Sequence, residues 1–170
     1  MINGSFGIGK TTCARLLRPK LPGAVIFDPE WIGFVLRRLP GYHRSDYQHL
    51  PSWRRLTILG ARLFSIMAPH VIIPMTFTHK TYFREVKEGL KASGKPLLHV
   101  CLTAPLPVVQ QRLTQRGEVM GDPRFEWVHR RAIDCFHAHQ DPEFALHIPT
   151  EGRAPDEIAA QLARIASPQL

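Results

Sequence analysis

Short apolar runs alternate with amphipathic segments along the chain. Four of the runs have the length of strands that are buried on both faces. They are residues 24–27, 70–73, 97–102 and 146–148. Between them, apolar residues recur at every third or fourth position, which is the spacing of a helix with one buried face. This alternation predicts an α/β fold with a parallel sheet of about five strands and right-handed crossovers.

The helical spacing is clearest in a few segments. They are residues 53–67, 82–92, 106–113, 128–139 and 158–165. In the first segment the predicted buried face holds Trp53, Leu56, Leu59 or Gly60, Leu63 and Met67. Pro105 and Pro155 stand where helices can begin, because the first helical turn has no use for the N–H that proline lacks. With 170 residues, the chain is expected to form one domain around one core.

The start of the chain contains the pattern Gly-x-x-x-x-Gly-Lys-Thr, from Gly4 to Thr11. Its glycines let the backbone turn tightly and present successive N–H groups to phosphate oxygens. Lys10 can reach the β- and γ-phosphates, and Thr11 can offer its hydroxyl to Mg²⁺. The pattern predicts a P-loop that binds ATP and Mg²⁺. The expected nucleotide-binding residues are Gly4, Ser5, Phe6, Gly7, Ile8, Gly9, Lys10, Thr11 and Thr12.

Only three residues precede this loop, fewer than the roughly five or six of an average strand. The first strand is therefore predicted to be short. Two explanations stay open at this point. Either three residues suffice because partner strands flank them on both sides, or further residues precede Met1.

Charge and composition narrow the class of protein only a little. The formal net charge is +8 at pH 7, but Lys and Arg are spread along the chain, and no nucleic-acid motif accompanies them. Nucleic acid is therefore not expected as a partner. No apolar stretch approaches the roughly twenty residues of a spanning helix, and no export signal is visible, so a cytoplasmic location is expected. Three cysteines, far apart in sequence, are expected to be reduced.

Further residues resemble the tunicamycin-resistance family of P-loop proteins, which is similar to small-molecule and nucleoside phosphotransferases. Beside the loop, the resemblance rests on Phe27-Asp28-Pro29-Glu30 with 33–37, Asp46-Tyr47-Gln48 with Pro51, Trp53 and Arg54, Ile73-Pro74-Met75-Thr76 with His79, Tyr82 and Phe83, and Arg112-Leu113 with Arg116. The resemblance implies a kinase-like fold with strand order 2-3-1-4-5 and ATP binding. It also implies a role in resistance to a nucleoside antibiotic and a loose association with the membrane surface.

Asp28 and Thr76 follow the second and third predicted strands. Ligands of open parallel sheets bind beside the carboxyl ends of the strands, so both residues are expected beside the P-loop. Asp28 is a candidate to accept a proton from an attacking hydroxyl or to hold a water on Mg²⁺. Capping the helix that opens at Pro29 is the alternative role. The third strand ends without the acidic residue that many P-loop enzymes place there, so Asp28 or Glu30 would have to substitute for it.

Arg112 and Arg116 lie four residues apart on one helix face. They are candidates to stabilise the transferring phosphate from a lid over residues 105–131, although cations at a helix C-terminus also complement its dipole. The expected catalytic residues are Lys10, Asp28, Arg112 and Arg116, with Thr11 and Asp28 as the expected magnesium ligands.

Aromatic and polar residues after the second and third strands are candidates for an acceptor pocket. The expected substrate-binding residues are Glu30, Phe34, Arg37, Tyr47, Thr76 and His79. Within this region Phe34 and Trp53 are expected to pack in the core. On the helix over 128–139, Cys135 and His139 share a face, but no second pair at metal spacing accompanies them. We therefore expect a packed thiol and a surface histidine there.

These features favour ATP-dependent phosphorylation of a small hydroxylated or nucleoside-type molecule. A rival hypothesis is a protein that uses ATP to hold an antibiotic without changing it, which the missing acidic residue favours. A nucleoside or nucleotide kinase is a third hypothesis, and it requires ligand-binding groups near Arg37, Arg54 and Arg55. The oligomeric state, a homodimer included, is left open by the sequence.

Overall fold

A computed structural model of the protein describes residues 1–36, 38 and 46–167. The strands are β1 (Ile2–Gly4), β2 (Val25–Ile26), β3 (Val71–Ile72), β4 (Val100–Thr103) and β5 (His147–Pro149). The α-helices are α1 (Lys10–Leu17), α2 (Glu30–Leu36), α3 (Pro51–Met67), α4 (Lys80–Lys91), α5 (Leu106–Gln115), α6 (Glu126–Ala138) and α7 (Pro155–Ala166). Strands separated by one helix or by a helix pair confirm the predicted α/β fold.

All strand pairs are parallel, but the strands divide into two ladders. One sheet has the order β1-β4-β5 and the other pairs β2 with β3. An isolated bridge joins them, where Ile2 lies opposite Pro74. There the Ile2 N–H donates to the Ile73 carbonyl at 2.8 Å, and the Met75 N–H donates to the Ile2 carbonyl at 2.9 Å.

Pro74 limits the pairing on its other side. The Phe27 N–H donates to the Ile72 carbonyl at 2.9 Å, and the next rung toward β2 would need an N–H that proline lacks. The parallel sheet is thus confirmed, whereas one continuous five-stranded sheet is not, and its order stays a prediction.

Helices pack on both faces of the strands. Alternate residues of β4 point to opposite faces, so Val100 and Leu102 join the core beneath α1 and α7, and Cys101 joins the core beneath α3 and α4. Burial on both faces explains why the strands read as continuous apolar runs. β1 lies between β4 and the Pro74 bridge, so its three residues are flanked on both sides.

The buried face of α3 differs from the predicted one. Trp53 is buried as expected, at 2% exposed, and is followed on the same face by Thr57 and Ala61. The other large residues of the predicted face are exposed, namely Leu56, Leu59, Leu63 and Met67. The reason is close packing, because a Cβ on Gly60 would come within 2.6 Å of the Phe27 ring. The small residues of α3 face the sheet, and its leucines face outward.

No helix in the described part of the chain is long and apolar enough to cross a membrane.

Candidate functional site

The P-loop connects β1 to α1 at the carboxyl edge of the sheet. Gly9 immediately precedes α1 with a φ of 102°, a value that residues with a side chain rarely adopt. A Cβ at Gly9 would meet nothing within 4 Å, whereas one at Gly4 would lie 2.8 Å from Ile8 Cγ2. The loop is therefore packed against the protein at its start and open at the first turn of the helix. Thr11 and Thr12 are exposed at that turn, where a phosphate and its Mg²⁺ would bind.

Lys10 is buried beneath this open turn. Its ammonium donates to the Ser5 carbonyl at 2.8 Å, and only 9% of the residue is exposed. Burial lowers the pKa of Lys10, and the nearby carboxylates of Glu30 and Asp28 oppose this shift. A phosphate beside Lys10 would stabilise its charged form further. Lys10 thus feels the charge of both acidic residues that the sequence predicted for the site, Asp28 and Glu30.

Asp28 follows β2, and its carboxylate has a local role. Asp28 Oδ1 accepts a hydrogen bond from the Glu30 N–H at 3.0 Å, at the start of α2. The capping role considered from the sequence is therefore present. It does not exclude a catalytic role, because a carboxylate can accept several hydrogen bonds. In the described part of the chain, no three His, Cys, Asp or Glu residues form a metal cage.

The remaining predicted substrate residues fall into different environments. Thr76 is buried in the segment after β3, and its carbonyl accepts a hydrogen bond from the Gln48 amide. Tyr47 packs against Gly33, where an added Cβ would lie 2.6 Å from the tyrosine ring. Phe34 is 52% exposed, so its predicted place in the core is wrong. It faces solvent because α2 turns Gly33 and Leu36 toward the protein instead.

His79 is exposed at the start of α4, and its ring contacts His49 and Tyr82. Arg37 lies outside the described residues. The role of the predicted substrate residues in binding an acceptor stays a prediction.

Arg112 and Arg116, the two arginines of the predicted lid, have different surroundings. Arg112 donates to the Thr150 carbonyl and to Thr150 Oγ1, both at 2.9 Å, and approaches the Ile8 carbonyl at 3.5 Å. It therefore ties α5 to the segment after β5 and to the P-loop. Arg116 pairs with Glu118 at 3.0 Å, and its side chain is 60% exposed. Arg116 is free to change partners, whereas Arg112 has a structural task.

An ion pair that the sequence did not predict lies beside the site. Arg131 of α6 pairs with Asp46 at 3.0 Å, and both side chains are largely buried. Asp46 also caps the 3₁₀ turn that follows it, through the Gln48 N–H. The Asp46-Tyr47-Gln48 block of the resemblance was the available signal, but spacing alone could not pair residues so distant in sequence.

His139 is buried, so its predicted place at the surface is wrong. Its Nε2 lies 2.7 Å from the Phe77 carbonyl, and Asn3 Oδ1 accepts from the Phe77 N–H at 2.8 Å. Because α6 packs its last turn against the carboxyl ends of the strands, His139 joins the polar network behind the P-loop. Burial lowers its pKa to about 4. Cys135 is a buried free thiol, as predicted.

The sequence profile of the AAA domain family (AAA_33) matches residues 1–142. No curated protein gives a significant match. Among solved structures, the chain is similar to the tunicamycin resistance protein of Deinococcus radiodurans, with 32% identity and a TM-score of 0.79, over 96% of this chain and 92% of that one.

Two kinases share the fold at lower identity. A gluconokinase from Sinorhizobium meliloti 1021 is 16% identical with a TM-score of 0.66, covering 97% of this chain and 91% of that one. A sugar kinase from Janibacter sp. HTCC2649 is 16% identical with a TM-score of 0.65, covering 96% and 90%. The resemblance inferred from the sequence motifs is thus confirmed.

Proposed function

Because the chain belongs to the AAA domain family of P-loop proteins and is related to a tunicamycin resistance protein, we propose that it is an ATP-dependent phosphotransferase for a small hydroxylated or nucleoside-type molecule. The observation that carries the proposal is the buried Lys10 ammonium, which donates to the Ser5 carbonyl of the P-loop and whose pKa is raised by the charges of Glu30 and Asp28 against the effect of burial. This arrangement sets a phosphate site beside a group that can accept a proton.

In the proposed reaction, the acceptor hydroxyl attacks the γ-phosphorus of ATP. A new P–O bond forms to the acceptor, the bond from the γ-phosphorus to the bridging oxygen breaks, and ADP leaves with that electron pair. Asp28 accepts the hydroxyl proton. Lys10 and the loop N–H groups hold the phosphates, and Arg116 stabilises the transferring group. Thr11, and Asp28 through water, would hold Mg²⁺, which would supply further neutralisation of charge.

The name of the D. radiodurans relative suggests the acceptor class. We infer that a nucleoside antibiotic of the tunicamycin type is the first compound to try, followed by sugars and sugar acids. Glu30 and Thr76 are the proposed contacts for the hydroxyl groups of the acceptor. The strand order 2-3-1-4-5 is part of the same proposal, because it places the acceptor residues of β2 and β3 on one side of the P-loop.

The test is ADP release with MgATP and this panel of acceptors, together with the mass of the recovered acceptor. We expect ADP release that depends on one acceptor, and a product heavier by one phosphoryl group. Lys10→Ala should lower the rate on the order of 10³-fold, since one preorganised charge on the transition state is lost. Rates equal to those of Lys10→Ala for every acceptor would refute phosphotransfer.

A second function is favoured by the end of β3, where Ile73-Pro74-Met75-Thr76 supplies no carboxylate. In this alternative the protein binds ATP and holds the antibiotic unchanged. The same experiment separates the two, because the antibiotic would then be recovered with its original mass while still raising the melting temperature in the presence of MgATP.

The nucleotide-kinase hypothesis is weakened by the surroundings of Arg54. Its guanidinium donates to Glu85 at 2.6 Å and to the Gln48 carbonyl at 2.7 Å, and it stacks over the Tyr82 ring. Arg54 thus makes contacts within the fold. Of the other two arginines named for this hypothesis, Arg55 is exposed and Arg37 lies outside the described residues.

A further inference from the structure

The outward face of α3 carries a row of large apolar side chains. Leu56, Leu59, Leu63 and Ile66 are 42%, 59%, 58% and 81% exposed, and Met67 at the end of the helix is 77% exposed. We call these five residues the α3 seam. Scattered apolar residues are normal on a protein surface, but a continuous row on one helix marks a contact site.

The spacing of the seam identifies its partner. Its first four members are separated by three, four and three residues, the pattern of a helix that packs along another helix. The series reads the same from either end. In an antiparallel pair of α3 helices, Leu56 would therefore face the partner's Ile66, and Leu59 would face the partner's Leu63. A two-fold interface needs this self-complementarity.

The charges at the seam fit the same arrangement. Arg55 is exposed beside Leu56, and in the antiparallel pair it would lie at the C-terminal end of the partner's α3. That end carries the negative pole of the helix dipole and has no basic residue in its last turn. Each protomer would thus contribute one favourable contact between a cation and a helix end.

A membrane surface suits the seam less well. Binding to anionic lipid needs several exposed cations around the apolar face. Of the other arginines on α3, Arg54 pairs with Glu85, and Arg62 donates to the Gly89 carbonyl at 2.8 Å and 3.1 Å. Among the described arginines of α3, Arg55 alone is exposed at the rim of the seam.

The area is also adequate for a pair of copies. The seam exposes on the order of 600 Å² per protomer, so an isologous contact would cover about 1,200 Å² in total, the lower end of a specific interface. We propose that the chain forms a two-fold homodimer through antiparallel α3 helices. The interface lies on α3 and not on the P-loop, so the proposal does not depend on the proposed reaction.

Light scattering after size exclusion tests the proposal directly. We expect a mass of twice the 19.3 kDa of one chain at tens of micromolar protein. Leu59→Glu/Leu63→Glu should raise the dissociation constant at least ~100-fold, because four charges would meet at the centre of the interface. The matched control, Ile133→Glu/Leu146→Glu, changes two other exposed apolar residues, 38% and 46% exposed, and should remain dimeric.

Disulfide trapping tests the antiparallel register. The native cysteines are buried, so Leu59→Cys/Leu63→Cys should link two chains rapidly under mild oxidation, whereas Ile133→Cys should not. A wild-type monomer at these concentrations would overturn the proposal. So would a dimer that survives the glutamate substitutions in α3. Retention on anionic vesicles by a monomer, lost in the Leu59→Glu/Leu63→Glu variant, would instead assign the seam to a lipid surface.

Discussion

The two edges of the sheet differ in the residues and the cavities that lie beside them. At the carboxyl edge lie the P-loop, the buried Lys10 and the acidic residues after β2. A small cavity of about 70 Å³, lined by Ser5, Ile8 and His139 among others, lies behind the P-loop. At the amino edge lies a cavity of about 620 Å³, lined by Met1, Leu97 and Leu162 among others. The larger cavity lies away from the P-loop and its charged residues.

The amino edge contains the larger of the two cavities, but none of the predicted site residues lines it. Its walls are mostly apolar, and the nitrogen of Met1 donates to the Leu98 carbonyl at 2.7 Å. At the carboxyl edge, in contrast, loops leave the strands and present N–H groups and charged side chains together. The difference teaches that the direction of the strands, rather than the size of a cavity, marks the site in this molecule.

The first way to sharpen this comparison uses the two lid arginines of the carboxyl edge. Arg112→Ala should lower the free energy of unfolding by about 4 kcal/mol, because charged hydrogen bonds to Thr150 and a contact with the P-loop are lost. Arg116→Ala should change it by less than about 0.5 kcal/mol, because its ion pair is exposed. Urea unfolding of both variants measures this, and equal losses would contradict the division of roles.

The sequence was most informative where the chemistry is local. The P-loop, the cap formed by Asp28 and the start of α7 at Pro155 each depend on neighbours within a few residues, so a single sequence contains the cause. The short strands were found for a similar reason, because burial on both faces leaves a continuous apolar run.

What the sequence could not supply depends on contacts between distant segments. α3 has two apolar faces, and periodicity alone could not tell that the face with Gly60 and Ala61 would approach Phe27 most closely. Arg112 contacts Thr150, and His139 contacts Phe77, only after the strands are assembled. A histidine or arginine on a helix face reads the same in sequence whether it meets solvent or a carbonyl group.

The second way to sharpen the comparison uses one buried histidine from each edge. His139 lies at the carboxyl edge, and His99 precedes β4 at the amino edge. Burial lowers the pKa of each to about 4 from an ordinary value of 6.5. Both are therefore neutral in the folded state, and protonation favours the unfolded chain. Their contribution is complete above pH 6.5 and is lost as the pH falls through 4.

Each histidine should cost roughly 2–3 kcal/mol of stability over that interval. Urea unfolding at a series of pH values should show a smaller loss for His139→Asn and for His99→Phe than for the wild-type chain. His79→Asn is the matched control variant, because it removes an exposed imidazole instead of a buried one. If both core variants kept the full acid sensitivity of the wild-type protein, other groups would have to carry it.

The last and smallest effect tests whether the amino edge takes part in function at all. Ala166 lines the large cavity, and Ala166→Leu would fill part of it. We expect a gain of up to about 1 kcal/mol in the free energy of unfolding from the additional buried surface, while the affinity for MgATP stays the same. Ala92→Leu, at an exposed position, should give neither change. Thermal unfolding and calorimetric titration with MgATP measure the two quantities. A weaker affinity for MgATP in Ala166→Leu would mean that the two edges are coupled through α7 and α1, which pack together in one core.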